Sequence, residues 1–426
     1  MKICVMTLGC KVNKYESDAL LYNLKLKGYE ITDSLEKADV YVINTCAVTG
    51  EAEKKSRQMI ARCKKFNKNA PIFICGCASQ HNKEQFLDKG VSLVMGTAGK
   101  IQISEYIDKL AQGDKKITKT RKKLATLPKE YEDDLTAVQS RTRAYIKIQD
   151  GCNNFCSYCI IPYLRGRSRS RGIFSILNEA GRVGDNIKEI VLTGINVTDY
   201  KIDGEKGLLT LLQELDKIGK RIRLSSMEDT LVDEEFISGL AKLDNFCPHF
   251  HLSLQSGSNS VLKRMNRHYS AEQFAESVKL IRKYFPLAGI TTDVIVGFAG
   301  ETDKEFQETY DFCKKVGFSQ LHIFQYSVRE GTVASKLYKD LNGTIKSQRS
   351  EKLAQLNQKL KEDFIKKNKF EQVLFEETID GLFSGYTRNY IRCYVKSKED
   401  LTDKIGLVKV KEPFKDGAKA KLVKIL

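Results

Sequence analysis

Gly151-Cys152-Asn153-Asn154-Phe155-Cys156-Ser157-Tyr158-Cys159 sets three cysteines on one short loop, spaced C-x-x-x-C-x-x-C. Three thiolates so close in sequence can ligate three irons of a cubane iron–sulfur cluster. The fourth iron then keeps an open position for an incoming molecule. A disulfide pattern leaves one cysteine over, and a structural zinc site needs a fourth ligand, for which no histidine lies nearby. The loop follows Ala144–Ile148, the first of six short apolar segments that read as strands. The others are Glu189–Thr193, Arg221–Ser225, Phe250–Leu254, Thr291–Val296 and Leu321–Tyr326. Helical patterns separate them, at Leu208–Gly219, Glu234–Leu243, Ala271–Tyr284 and Lys304–Val316. Such a β/α repeat closes into a full or partial barrel with its chemistry at the carboxyl ends of the strands, where the cysteine loop stands.

The other strand ends in residues 141–345 would line the same site. They supply Gly194 and Asn196 after the second strand, Glu228 after the third, Gln255 after the fourth, and Asp293 in the fifth. Just past the loop, Arg165, Arg167, Arg169 and Arg171 alternate along the chain. They read either as a solvated strand or as guanidinium forks for phosphate or carboxylate, and RNA is one such ligand.

Residues 1–112 alternate strands (Ile3–Leu8, Val40–Ile43, Ile72–Cys75, Leu93–Met95) with helices (Lys14–Lys27, Glu51–Phe66, Lys83–Lys89, Ile101–Ala111). This predicts an open parallel α/β sheet. Cys10, Cys46 and Cys77 sit just past the carboxyl ends of its first three strands, where the loops of such sheets converge on ligands, so a second three-cysteine site is expected. Cys4 and Cys63 read as structural, and Cys75 stays open as an alternative to Cys77.

Residues 113–140 form a linker, basic over Gly113–Leu124 and acidic over Glu130–Asp134. Residues 346–370 read as one connecting helix with Leu353, Leu356, Leu360 and Phe364 on its apolar stripe. Residues 371–426 carry short β patterns punctuated by glycines, which predicts a small all-β barrel. There Tyr386, Tyr390 and Tyr394 interleave with Arg388 and Arg392, a pattern suited to stacking bases and contacting phosphates. The 426 residues carry a net charge of +17, a footprint for nucleic acid, and 12 cysteines with no secretory signal. With no apolar run approaching the ~20 residues of a membrane span, a soluble, cytoplasmic protein is expected.

The Cys152 loop resembles that of the radical-SAM superfamily. That resemblance implies a 4Fe–4S cluster on Cys152, Cys156 and Cys159 and S-adenosylmethionine (SAM) on its open iron. It also implies Tyr158 near the adenine, and an incomplete barrel of six strands. Thr7-Leu8-Gly9-Cys10-Lys11-Val12-Asn13, Asn44-Thr45-Cys46-Ala47-Val48-Thr49 and Gly76-Cys77-Ala78-Ser79-Gln80 resemble the three cysteine motifs of the methylthiotransferases. This implies a second 4Fe–4S cluster on Cys10, Cys46 and Cys77, and selects Cys77 over Cys75. In that family one SAM supplies a methyl group to sulfur at the auxiliary cluster. A second is cleaved to a radical that takes hydrogen from an unactivated carbon, with electrons from a donor the sequence does not name. The last domain resembles the RNA-binding TRAM barrel. Among family types, Lys11-Val12 is most like the type acting on N6-threonylcarbamoyladenosine beside the tRNA anticodon, forming the 2-methylthio product. The alternatives are isopentenyl-adenosine in tRNA, where Gln-Met is usual, and a ribosomal-protein aspartate, where Pro-Lys is usual. A reading of another class is a non-catalytic iron–sulfur RNA-binding or redox-sensing protein.

Overall fold

A computed structural model of the chain describes residues 1–87, 89–113, 127–133, 136–137, 142–337 and 339–426. The basic linker stretch 114–124 lies outside the described residues. The first five strands are β1 (Lys2–Thr7), β2 (Glu30–Thr32), β3 (Val40–Thr45), β4 (Ile72–Gly76) and β5 (Leu93–Val94). They form a wholly parallel sheet in the order β2-β1-β3-β4-β5. Every residue of β3 and β4 is buried, because apolar layers cover both faces. Leu20, Leu24, Ile103 and Ile107 cover one face, and Met59, Ile60 and Phe86 the other. Ile160 and Leu164, just beyond the Cys159 loop, complete the second face, so the cysteine loop of the next domain is packed onto this sheet. β2 is too short for any periodicity to reveal it. β1 and β3 are neighbours although β2 lies between them in sequence, and the loops leaving them diverge to open a crevice at the carboxyl edge.

Six strands build the second domain: β6 (Arg143–Lys147), β7 (Glu189–Thr193), β8 (Arg221–Leu224), β9 (His249–Gln255), β10 (Gly289–Val296) and β11 (Gln320–Gln325). They run parallel in two sheets, β8-β7-β6 and β9-β10-β11. Ser226–Met227, just past β8, pairs parallel with His251–Leu252 of β9 and carries the chain from one sheet to the other. The result is a partial barrel with an apolar core of Ile190, Leu192, Phe250, Leu252 and their neighbours. The N-terminal sheet is docked beside β6, where the helix Lys11–Leu26 meets it.

The long helix runs Gly343–Lys367. Its Leu353, Leu356 and Leu360 enter the barrel core, and Phe364 and Ile365 enter the last domain. That domain is a closed barrel of β12 (Phe370–Ile379), β13 (Leu382–Thr387), β14 (Arg392–Val395), β15 (Ile405–Phe414) and β16 (Gly417–Ile425), in the order β12-β13-β14-β16-β15. It is clamped to the partial barrel through polar contacts. Arg388 Nη2 donates to the carbonyls of Asp244 and Phe246, each at 2.7 Å. Asn389 donates to the Leu287 carbonyl at 2.9 Å. Arg223 donates to the carbonyls of Thr387 (3.1 Å) and Arg388 (2.9 Å). No helix among the described residues is long and apolar enough to cross a membrane.

Candidate active site

Cys10, Cys46 and Cys77 follow β1, β3 and β4, which are adjacent in the sheet, so strand spacing alone brings the three loops side by side. Short hydrogen bonds then fasten one loop to the next. Asn13 Nδ2 donates to the carbonyls of Leu8 (2.8 Å) and Thr45 (3.0 Å), and Thr45 Oγ1 donates to the Cys75 carbonyl (2.6 Å). The glycine before two of the cysteines is set by sterics. Gly9 has φ +102° and a Cβ there would stand 2.7 Å from Cys46 Sγ. Gly76 has φ +104° and a Cβ would stand 2.5 Å from the Thr45 carbonyl oxygen. Both backbones approach their neighbours in a conformation that only glycine adopts cheaply. Cys75 lies in the apolar layer with Phe73 and Leu93, while Cys77 lies in the layer on the opposite face.

The second triad is held just as firmly. Ser157 N donates to the Met265 carbonyl (2.9 Å), Ser157 Oγ to the Arg264 carbonyl (2.7 Å), and Cys152 N to the Gly166 carbonyl (3.1 Å). Phe155, immediately before Cys156, takes a left-handed φ of 44°, the strained element of the loop. Arg267 Nη1 donates to Cys156 Sγ at 3.2 Å and Arg267 Nη2 to Glu228 at 2.5 Å.

All six cysteines are free thiols. Burial, reinforced by neighbouring thiols, pushes Cys152 and Cys159 up to about 12 and Cys46 up to about 11, and it also raises Cys77. Such thiols stay protonated unless a bound cation displaces the proton. Positive charge nonetheless lies by the sulfurs: Arg267 donates to Cys156, and the Arg165 charge works against the rise at Cys77. A cationic donor on Cys156 and three thiols per site, with no histidine or carboxylate among the described residues hydrogen-bonded to any of the six sulfurs, fit two open-site iron–sulfur clusters.

Between the triads lies a buried charge network. Arg165 is fully buried, with Nη1 3.0 Å from both Glu16 and Asp150 and Nη2 2.7 Å from Asn13 Oδ1. Lys147 adds bonds to Glu16 (2.9 Å) and Asp150 (2.7 Å), and Lys100 pairs with Glu16. Burial disfavours both carboxylates, yet Arg165 with Lys100 and Lys147 outweighs it at Glu16, and Arg165 with Lys147 and Arg169 at Asp150, holding both below the usual carboxylate range.

A cavity of about 360 Å³ opens between the N-terminal sheet and the inside of the partial barrel. Cys10 and Lys11 line one side, Gly194 and Ser226 the strand ends, and Tyr390 of the last domain the far end. His249, His251, Asp293 and His322 project into it from β9, β10 and β11. His251 Nε2 and His322 Nδ1 each lie 3.3 Å from Asp293 Oδ1. Burial works against this carboxylate, but the two imidazoles prevail and hold its pKa below the usual range. These three ligand-type groups lie within 4.8 Å of one another, the one such grouping among the described residues that could hold a single metal ion. Thr291 Oγ1 fixes the rings, at 2.8 Å from His251 Nδ1 and 3.1 Å from His249 Nε2. His249 stacks on Tyr390 (4.4 Å between centroids), which stacks on Tyr386 (4.6 Å).

Comparison with known proteins identifies both cysteine-bearing domains. Residues 146–313 match the Radical SAM superfamily and residues 2–96 match the Uncharacterized protein family UPF0004. The threonylcarbamoyladenosine tRNA methylthiotransferase MtaB of Bacillus subtilis (strain 168) is 40% identical, over 98% of this chain and 96% of its own length. The chain belongs to the radical-SAM methylthiotransferases. The MtaB of Thermotoga maritima is 37% identical over 91% of this chain and 90% of that protein. The tRNA-2-methylthio-N(6)-dimethylallyladenosine synthase of Syntrophus aciditrophicus is 33% identical over 96% and 87%. Among solved structures, the radical SAM methyltransferase TsrM of Kitasatospora setae shares the fold, with a TM-score of 0.56 and 14% identity over 78% of this chain and 77% of that one. Methylthiotransferases are enzymes that use SAM and two 4Fe–4S clusters, which sets aside the non-catalytic sensor reading.

With this methylthiotransferase architecture in place, the expected site residues fall into groups. Tyr158 lies in an apolar pocket with its ring edge toward Phe298, beside the Cys152 loop. Gly194 and Asp293 line the cavity. A Cβ at Gly194 would stand 2.9 Å from Gln149 Oε1. Glu228 reaches the cluster loop through Arg267. Asn196 is buried and its side chain caps a short turn by accepting from Thr198 N. Gln255 ends β9 in a left-handed conformation, φ 66°.

The RNA contacts expected of the arginine run need correction. Arg165 is sealed in the network above, and Arg171 is equally buried, paired with Glu179 and Asp133. Arg169 pairs with Asp150 (3.3 Å). Arg167 alone of the four is exposed, its guanidinium over the Phe155 ring at 4.4 Å. On the last barrel, Arg388 is an interdomain clamp. Tyr386 is held in the stack above, with Arg143 over its ring at 4.9 Å. Arg392 is tied to Glu377 (2.5 Å) and Asp416 (3.0 Å). Lys11, His251, His322 and Arg267 went unforeseen. The only sequence signal for any of them was the place of Lys11 inside the first cysteine motif.

Proposed function

We propose that this enzyme acts in the cytoplasm on tRNA, methylthiolating C2 of N6-threonylcarbamoyladenosine beside the anticodon to give 2-methylthio-N6-threonylcarbamoyladenosine. Cys152, Cys156 and Cys159 hold one cluster, and Cys10, Cys46 and Cys77 the other. When bound, the clusters and SAM supply the radical and the sulfur and methyl groups. The chain's own part is to hold the base in the cavity between the triads, to shut water out and to orient C2. The observation that supports the choice of substrate is the set of ionisable side chains in the wall of that cavity. Its walls bring Lys11 and three imidazoles to a space where an isopentenyl group would want apolar surface. The higher identity to relatives named for threonylcarbamoyladenosine (37–40%) than to those named for dimethylallyladenosine (33–35%) supports the same choice.

For the tRNA body, the best candidate surface is the outer face of β15 and β16. Lys409, Lys411, Lys419 and Lys421 are exposed there, and Lys409 stands directly opposite Lys421. Like charges opposed across two strands destabilise a sheet, and a phosphate backbone relieves them.

The deciding experiment offers reconstituted enzyme tRNA from cells unable to make the threonylcarbamoyl group, beside tRNA lacking only the isopentenyl group. Methylthiolation of the second alone is expected. Methylthiolation of the first alone would refute the assignment in favour of the isopentenyl substrate.

A further inference from the structure

A threonylcarbamoyl group ends in a carboxylate, yet the four arginines after the cluster loop are placed elsewhere. Two are sealed in ion pairs, one is on Asp150 and one lies on the outer surface. The carboxylate needs a different cation, close to the carbon that receives sulfur. Lys11 follows Cys10 directly and lines the cavity. Among the described residues its ammonium has no carboxylate within the 4.0 Å of an ion pair and makes no side-chain hydrogen bond. Other charges near it are already matched. Arg223 is on Glu189 (2.6 Å), Arg143 on Glu376 (2.6 Å), and Asp293, the carboxylate lining the cavity, lies between His251 and His322.

We propose that Lys11 is the specificity residue of this site and receives the carboxylate of the N6-threonylcarbamoyl group. The proposal rests on the threonylcarbamoyladenosine reading above. On adenine, C2 and C6 flank the same ring nitrogen, N1. A base that presents C2 toward the Cys10 side therefore carries its N6 substituent along the same edge, toward the residue next to Cys10. The same ammonium also discriminates against the apolar alternative. A dimethylallyl group would shield Lys11 from water and offer it no counter-charge, a repulsive element as useful to specificity as the attractive one.

The test uses reconstituted holoenzyme and three anticodon stem–loop RNAs. They carry N6-threonylcarbamoyladenosine, the same nucleoside with its carboxylate converted to a carboxamide, or the dimethylallyl nucleoside. Dissociation constants come from fluorescence anisotropy, and kcat and KM from nucleoside mass spectrometry. Wild type is expected to prefer the acid over the carboxamide by about 10- to 100-fold in Kd and KM, the range for a charge-assisted hydrogen bond. Lys11→Met is expected to bind the two alike, and Lys11→Arg to restore the preference. Each preference is a ratio within one protein, so a smaller folded fraction cancels. A wild type indifferent to the carboxamide, or a Lys11→Met variant with the full preference, overturns the proposal. Turnover of the dimethylallyl RNA with none of the threonylcarbamoyl RNA overturns the substrate reading itself, and the two failures are told apart by the wild type alone.

Discussion

Replacing Arg165 with methionine keeps the volume of the side chain and removes its fork. Five contacts disappear: Nη1 to Glu16 (3.0 Å) and to both oxygens of Asp150 (3.0 and 3.1 Å), and Nη2 to Asn13 (2.7 Å) and Glu16 (3.2 Å). Breaking a buried charge pair from one side costs about 3–5 kcal/mol. Here neither carboxylate is left bare, since Glu16 keeps Lys100 and Lys147, and Asp150 keeps Lys147 and Arg169. The expected loss is therefore at the lower end, about 3 kcal/mol. Arg165→Lys preserves the charge without the bidentate geometry and should cost about 1–2 kcal/mol. Urea unfolding measures both. The pH dependence has a definite sign. Glu16 and Asp150 have folded pKa values below their ordinary 4.5 and 3.8, so their stabilisation is fully present above pH 4.5 and is lost as pH falls through the lowered values. The gap between wild type and Arg165→Met should stay constant from pH 8 to about pH 5 and close in acid. A methionine variant within about 1 kcal/mol of wild type, or a lysine variant as unstable as the methionine one, would refute the view that this guanidinium ties the two cysteine-bearing domains together.

Anaerobic reconstitution should load about eight irons per chain, falling to about four when either Cys10, Cys46 and Cys77 or Cys152, Cys156 and Cys159 are changed to alanine; full iron in either triple variant would disprove its triad. Gly76→Ala should lose the iron of the first triad, because the new Cβ meets the Thr45 backbone at 2.5 Å, whereas Gly28→Ala, at φ +84° with nothing within 4 Å, should load normally. Changing Lys409 and Lys421 to serine should weaken tRNA binding and flatten the slope of log K against log salt by nearly one for each phosphate the variant no longer neutralises, and an unchanged slope would move the RNA surface elsewhere. Glu371→Gln should raise the melting temperature at pH 8 but not at pH 5. Burial pushes this carboxyl up to about 7 from 4.5, so the folded state holds its proton more tightly and stability falls as pH rises between those values. The same gain at both pH values would remove the buried charge as its cause.

Most of the architecture was legible because its signals are local. Segments Glu189–Thr193 and Val40–Ile43 are short apolar runs, and the helix Ala271–Tyr284 shows its pattern in sequence. The cysteines were placed by the ends of strands, except that this pattern left Cys75 open against Cys77, which only the motif resemblance selected. What escaped is what distant segments build together. The arginine run looks solvated because its counter-charges are remote: Glu16 lies on the first helix and Tyr15 meets Arg171 from there. In place of a long exposed strand, only Arg169–Ser170 is extended. Tyr386 and Arg388 have the composition of an RNA surface, yet the docking of the barrel turns them inward. Lys11, His251 and His322 come from one helix and two strands, and only the tertiary fold makes them neighbours of a single cavity.

That cavity has a consequence for biosynthesis. Lys11 is translated early and Tyr390 late, and both form its walls. A nascent chain can finish its first sheet, and even its partial barrel, while the pocket still gapes at the end that Tyr390 closes. Either thiol triad could take up iron during that interval. The last wall of the cavity comes only once the last barrel has emerged and Arg388 has clamped it in place. The order of the polypeptide thus leaves the completion of this cavity to the last domain made.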